Sequence, residues 1–379
     1  MTQVRVPLAR PSFDEREVEA VRRVLSSGWV IQGPEVEGFE NAIAQMHQAR
    51  HCIAVSSGTA ALHVCYLALG IGSGDAIFLP SFAWPSAANM AIIVGARPVF
   101  VDVLPNTYNI NPEDLRIKIE QCIERKWGKP RALVPVHEFG LAAEMDKITE
   151  IAEEYGLEII EDAACALGAA YKGKPVGTFG QMGIFSFHPR KAVTTGEGGA
   201  IITNNTDLAE RCRMWRNHGQ VFENGKRDFE VAGLNYRMTE IQAAIGRVQL
   251  EKFPIILKKR RKIASQYLNE LVGCPGIKLP TDNPEHTWQT FMVVLDATID
   301  LSEMTGKMAR SAIGAGKGSV AAHCLQVYEK TLAYKPGDLP QSDLLERQGL
   351  ALPLYPDMRP EDVSHCVKEL RQASGVILA

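Results

Sequence analysis

The 379-residue chain reads as an α/β protein, a parallel sheet covered by helices, followed by a smaller domain. Three observations predict this. Short apolar runs of strand length alternate five times with stretches of helical period. The connections between them are short, as right-handed crossovers between parallel strands require. Near residue 251 the alternation stops, and a charged helical stretch (KKRRKIASQYLNEL) leads into a few strands and helices that include LPLYP at 352–356. The expected domains are 1–250 and 251–379.

The elements follow in order. Residues 13–27 have apolar positions at helical spacing, with Asp14, Glu15 and Glu17 near the positive end of the helix dipole. The segment 28–34 (GWVIQGP) breaks the pattern and reads as a connecting loop that buries Trp29. A second helix is expected over 35–48 and a strand over 52–55. The small-residue turn Ser56-Ser57-Gly58-Thr59 comes next and opens another helix. Such a turn is a helix cap, and its free N–H groups also make it a candidate anion site. A strand over 77–80 precedes Ser81-Phe82-Ala83-Trp84, where the indole sits just past a strand end. Further strands are expected over 97–101 and 132–136, and helices over 112–125 and 145–155. His137, at the end of the 132–136 strand, reads as structural.

The stretch from Glu161 to Gly199 organises the chain. The apolar run 157–160 ends in the acidic pair Glu161-Asp162, and the run 183–187 leads to His188, Lys191 and the glycine-rich TTGEGG at 194–199. One carboxylate and one amine thus stand just past two strand ends, beside glycines that allow close backbone approach. An amine is trapped as an imine by a carbonyl cofactor, and a carboxylate keeps a pyridine nitrogen protonated. The pair therefore points to pyridoxal 5′-phosphate (PLP).

Composition sets outer bounds. With 46% hydrophobic and 22% charged residues and a net charge of −3, nothing favours nucleic acid or an anionic membrane as partner. No apolar run reaches membrane-span length, and the first fifteen residues lack a signal-peptide core. The eight cysteines are scattered without a CxxC, so neither a zinc motif nor an iron–sulfur motif is spelled out, and free thiols in a reducing cytoplasm are expected. The sequence at 314–319 (GAGKGS) lacks the P-loop spacing, and Asn204-Asn205-Thr206 is a chance sequon.

The central stretch resembles the DegT/StrS family of PLP-dependent nucleotide-sugar aminotransferases. The family strings E-D-A-A-x-A-x-G-A and F-S-F-x-x-x-K-x-x-x-x-G-E-G-G match at 161–164, 166, 168, 169, 185–187, 191 and 196–199. The resemblance implies a PLP-dependent transferase of fold type I, with a mostly parallel sheet and a smaller C-terminal α+β domain. It implies Lys191 as the lysine that carries PLP and Asp162 as the partner of the ring nitrogen, with His188 as an accessory acid–base group. Ser57, Gly58, Thr59 and Ser186 are expected at the cofactor phosphate, Trp84 flat on the pyridine ring, and Cys165 against the cofactor. Ala83 departs from the family's threonine, and Glu138 and Ala142 depart within V-H-E-F-G-L-A-A-E-M-D. Asn235, in G-L-N-Y-R-M, matches an asparagine that reaches the phosphate in the other subunit, which implies a homodimer with shared sites.

The implied reaction moves an amino group from L-glutamate to a nucleotide-linked keto sugar, a 4-keto-6-deoxyhexose by preference, in amino-sugar biosynthesis for surface polysaccharide such as O-antigen or for natural products. A 3-keto-sugar aminotransferase is an alternative. A PLP-dependent sugar dehydratase and a non-catalytic PLP-binding regulator are opposed by the intact Lys191 with Asp162. Arg237 and the basic run 258–262 are candidate diphosphate contacts.

Overall fold

Seven strands build the central sheet. They are β1 (His51–Val55), β2 (Asp75–Pro80), β3 (Arg97–Val101), β4 (Lys129–Leu133), β5 (Glu158–Asp162) and, after the small hairpin β6 (Ala170–Tyr171) and β7 (Lys174–Pro175), β8 (Met182–Ser186) and β9 (Gly199–Thr203). Their order is β1-β9-β8-β5-β4-β2-β3. Every neighbouring pair is parallel except the two made by β9, which runs against both β1 and β8. The computed structural model describes residues 4–373; residues 1–3 and 374–379, the outermost of the two expected domains, lie outside the described residues.

The strands are apolar on both sides because both faces are covered. On one face α3 (Gly58–Ala68), α4 (Ser86–Ile93) and α7 (Thr206–Arg216) bury Leu62, Tyr66, Ala88 and Cys212 against Ile53, Ile77, Ile160 and Ile201. On the other, α2 (Pro34–His47) meets β1 and β9 with Phe39 and Ile43, and α5 (Pro112–Glu124) and α6 (Met145–Tyr155) meet β2–β5 with Leu115, Ile119 and Ile148. α1 (Glu15–Ser27) starts on a capping box formed by Asp14 and Glu17.

The charged stretch expected to open the small domain is the second half of one helix, α8 (Glu240–Leu271), 32 residues long. Residue 250 lies in its middle. Its first half packs Ala243, Leu250 and Phe253 onto the large-sheet core, and its second half packs Ile263, Tyr267 and Leu271 into another. That second core also takes Val6, α9 (Leu301–Arg310), α12 (Pro360–Ala373) and an antiparallel sheet of order β12-β13-β15-β14. Its strands are β12 (Ile277–Lys278), β13 (Phe291–Leu295), β14 (Gly316–Lys317) and β15 (Gly349–Leu352). Between the two sheets in chain order comes the exposed hairpin β10 (Gln220–Glu223) and β11 (Lys226–Phe229); α10 (Gln326–Leu332) packs Tyr328 into the large-sheet core, and α11 (Pro340–Gln348) lies against β13 and β15.

Three local expectations need correction. The strand expected over 132–136 is β4, earlier by three residues, because Pro135 has no N–H to continue a ladder. The acidic pair does not follow its strand but ends it: the Asp162 N–H donates to Pro135 O at 2.9 Å, and Asp162 pairs with Ile184. Trp29 is not buried; it is 58% exposed, with Nε1 donating to Gln32 O at 3.1 Å. The chance sequon is used internally, Asn205 capping α7 and Asn204 accepting from the Arg50 N–H.

Gly183 gives a direct test of how tightly the sheet packs. A methyl group at this position of β8 would lie 2.3 Å from Gly177 Cα and 2.5 Å from Gly177 O, both backbone atoms that cannot rotate away. Gly183→Ala is expected to cost about 3 kcal/mol, the upper end for overpacking, or more. Urea denaturation checks it; a loss below about 1 kcal/mol would show that the loop at 177 gives way.

Candidate active site

Parallel strands deliver their carboxyl ends to one edge of a sheet, where α/β proteins place their chemistry. β1, β5, β8 and β2 run the same way, so the turn at 57–59, Asp162, the segment from Ser186 to Lys191 and the loop 81–84 all leave from one edge.

The turn after β1 is built for close approach. Ser57 is the N-cap of α3, its Oγ accepting the Ala60 N–H at 3.0 Å, so the N–H groups of Gly58 and Thr59 lie outside the helical ladder. A methyl group on Gly58 would stand 2.9 Å from Ser186 Cβ, and one on Gly199 would stand 2.3 Å from Ser57 O. Thr59 Oγ1 donates to Ser86 Oγ at 3.2 Å. The 57–59 turn, Ser186 and the glycines of 198–199 therefore form one contiguous cradle.

Asp162 and Lys191 form the polar centre. The Asp162 carboxylate is buried and accepts the Ala164 N–H at 3.0 Å. Burial raises its pKa, while the Ala164 N–H and the Lys191 ammonium draw it back. Lys191 Nζ donates to Cys165 Sγ at 2.9 Å. Burial lowers the Lys191 pKa, but Cys165, Asp162 and Glu138 together outweigh it and leave the ammonium favoured. The Cys165 thiol is itself raised by burial. Trp84 is 71% exposed, an indole face with little packed on it.

His188 and Asn235 stand at the periphery. The half-buried His188 ring accepts the Arg190 N–H at Nδ1 (3.2 Å), and its Nε2 is 3.9 Å from Glu197 Oε1. Asn235 is exposed. Its segment lies against the end of β1 in the same chain, through the Ser56 N–H to Tyr236 O bond (2.9 Å) and the Val55–Arg237 bridge. Arg237 donates to Asn217 Oδ1 at 2.6 Å. In the basic run 258–262 three side chains have internal partners. Arg260 is buried and donates to Trp288 O and Gln289 O, Arg261 donates to His286 O, and Lys259 pairs with Asp357 at 3.0 Å. Of the two candidate diphosphate contacts, Arg237 is the one beside the cradle.

Two neighbours complete the site. Ala143 N–H donates to His137 Nδ1 at 3.1 Å, so the ring proton sits on Nε2 and donates to Glu161 Oε2 at 3.0 Å, a structural role. Glu138 was not singled out as a site residue. It is buried within the field of Lys191 and Asp162, and burial pushes its carboxyl up to about 8. Its signal in the sequence was a charged residue in the otherwise apolar string that follows β4.

Comparisons with known proteins show which family the chain resembles in sequence and fold. A DegT/DnrJ/EryC1/StrS aminotransferase from Brucella abortus is 33% identical and superposes with a TM-score of 0.89 over 95% of this chain and 96% of that one. DesV from S. venezuelae, solved with a ketimine intermediate, is 33% identical with a TM-score of 0.88 over 98% of both chains. PseC of Helicobacter pylori, an aminotransferase of pseudoaminic acid biosynthesis, shares the fold at 24% identity, with a TM-score of 0.91 over 98% of this chain and all of that one. Residues 11–371 match the sequence model of one family. The chain belongs to the DegT/DnrJ/EryC1/StrS aminotransferase family, PLP-dependent sugar aminotransferases of fold type I.

Proposed function

We propose that this enzyme transfers the amino group of L-glutamate to a nucleotide-linked 4-keto-6-deoxyhexose, in the cytoplasm, as a step of amino-sugar biosynthesis for surface polysaccharide or natural products. The observation that carries the reading is the convergence of Lys191, Asp162 and the 57–59 cradle on one sheet edge. The residues present fit PLP. The close approach of Gly58 to Ser186, with two N–H groups free of the helical ladder beside the Ser186 hydroxyl, suits a phosphate. The Asp162 carboxylate suits a protonated ring nitrogen, and the Trp84 face suits an aromatic ring.

Bound there, PLP supplies a protonated pyridine ring that takes up the electron pair of a deprotonated carbon. The chain's own residues do the rest. Asp162 carries the negative charge that favours the ring-nitrogen proton. Lys191 Nζ would hold PLP and, as a base, would move the proton between the substrate carbon that bears nitrogen and C4′ of the cofactor. Glu138, held neutral by burial near pH 7, leaves Asp162 as the anion beside Lys191. The Cys165 thiol stands against Nζ and positions it. His188 serves as an accessory acid–base group, and Asn235 of the partner subunit would join the phosphate cradle, which makes a homodimer the active unit.

The nucleotide supplies affinity that the sugar lacks. A free sugar exchanges its hydrogen bonds largely with water and gains little net affinity. A diphosphate and base bind away from the reacting carbon and orient the ketone. Arg237, at the edge of the cradle, is the residue assigned to the diphosphate.

Three measurements test this. Asp162→Asn is expected to fold normally and lose at least about 10²–10³-fold in turnover, because a neutral amide does not stabilise the ring-nitrogen charge. Near-normal kcat would assign that partner elsewhere. Inactive Lys191→Ala mixed with inactive Asn235→Ala should regain activity, since a hybrid dimer has one site with neither lesion. Subunit exchange without recovery would place Asn235 outside the partner's site. Finally, enzyme loaded with pyridoxamine phosphate should return to the PLP spectrum faster with a nucleotide-linked 4-keto-6-deoxyhexose than with 3-keto sugars, free sugars, pyruvate or oxaloacetate. Faster return with a keto acid would overturn the sugar assignment, and faster return with a 3-keto sugar would move the acceptor carbon.

A further inference from the structure

Away from the cradle's lysine, three side chains meet that the reaction does not use. His323 lies in a single 3₁₀ turn (Ala322–Cys324), with Cys324 beside it, and Asp343 lies in the first turn of α11. His323 Nε2 is 3.3 Å from Cys324 Sγ and 3.5 Å from Asp343 Oδ1, and Cys324 Sγ is 3.2 Å from Asp343 Oδ1. These are three edges of one small triangle of N, S and O atoms. A tetrahedral zinc site with ordinary Zn–N, Zn–S and Zn–O bonds has ligand–ligand edges of about 3.3–3.6 Å.

Each ligand also has an outer partner. His323 Nδ1 is 2.6 Å from Ser81 Oγ, which fixes the ring and leaves Nε2 facing the triangle. Asp343 Oδ2 accepts the Gly337 N–H at 2.6 Å, leaving Oδ1 inward. Such outer hydrogen bonds are what orient metal ligands. His323 and Asp343 are buried and Cys324 is half-buried, so the triangle has one side open to a fourth ligand. The charged groups that bear most on His323 are all carboxylates: Asp343, Asp102, Asp338 and Glu346. The Ser81 contact at Nδ1 leaves Nε2, Cys324 Sγ and Asp343 Oδ1 facing one another, a mixed donor set that one cation would satisfy.

We propose that His323 Nε2, Cys324 Sγ and Asp343 Oδ1 bind one zinc-type divalent transition-metal ion, with water as the fourth ligand. The mixed N, S and O set suits zinc, and cobalt as its spectroscopic substitute, over magnesium or calcium. The thiolate is the metal-binding form of cysteine, so binding displaces the Cys324 proton: M²⁺ replaces H⁺ on sulfur, and one proton is released per ion. The ion joins the end of β2 to α11. Ser81 opens the loop that carries Trp84, and that loop is already tied to the 320–321 segment through the Phe82–Ala321 bridge and the Ala83 N–H to Val320 O bond (3.2 Å). The site therefore braces the loop on which the exposed indole sits.

Metal binding tests this independently of activity. The tag-free, PLP-loaded full chain, stripped with chelator, is dialysed against zinc or cobalt at micromolar free metal. One ion per chain is expected, with one proton released, and cobalt-edge X-ray absorption should show one sulfur among nitrogen and oxygen ligands. Cys324→Ser, the conservative variant, should keep the fold and weaken binding by on the order of 100-fold, and Asp343→Asn should weaken it as well. Absence of stoichiometric binding, a spectrum without sulfur, or unchanged affinity in Cys324→Ser would overturn the proposal and leave the cluster as a hydrogen-bonded brace.

Discussion

The position of the reactive centre depends on a carboxylate that takes no part in the chemistry. Glu161 is fully buried and accepts four hydrogen bonds, from His137 Nε2–H and from the backbone N–H groups of Gly177, Phe179 and Gly180. Hydrogen bonds to a charged acceptor contribute about 1.5–3 kcal/mol each, and a buried carboxylate without them would be strongly unfavourable. The arrangement ties two chain segments, the one at His137 and the loop 177–180, to the end of β5. Because side chains alternate along a strand, the next residue, Asp162, faces the opposite side of the sheet and is presented to Lys191. One residue fixes the frame, and its neighbour uses it.

That frame sets an electrostatic balance. Asp162, Glu138, Cys165 and Lys191 are packed closely enough for each to shift its neighbours. Burial favours the neutral form of every one, yet a lysine ammonium among carboxyls supports the charge of one of them. Asp162 has the Ala164 N–H in addition, while burial pushes the Glu138 carboxyl up to about 8. Two buried acids of similar intrinsic strength thus meet different surroundings beside one lysine.

Much of this was legible in the sequence where the signal is local. The strand at 97–101 and the helix at 145–155 have the observed bounds, because apolar period and end signals coincide there. The cluster of small residues at 57–59 does start a helix at the sheet edge. What was not legible depends on contacts between distant residues. The apolar run GAIIT at 199–203 is strand-like, but its antiparallel direction is set by pairing with β1 and β8. The basic run 258–262 looked like a diphosphate contact, and only the second core shows that Arg260 is spent on the carbonyls of Trp288 and Gln289. Ser81, His323 and Asp343 are far apart in the chain, and no spacing rule links them.

α8 has a mechanical consequence. At about 1.5 Å per residue its 32 residues make a rod roughly 48 Å long, anchored in different cores at its two ends. Near its start Gln242 Nε2 donates to Glu197 O at 2.7 Å, next to the glycines of the cradle, and Glu240 accepts the N–H groups of Glu35 and Val36. A rod held this way acts as a lever. Any tilt of the second core is carried along the axis to the 196–199 turn and the start of α2, so the two bodies move as coupled parts, and the glycine turn of the cradle registers what the far end of the molecule does.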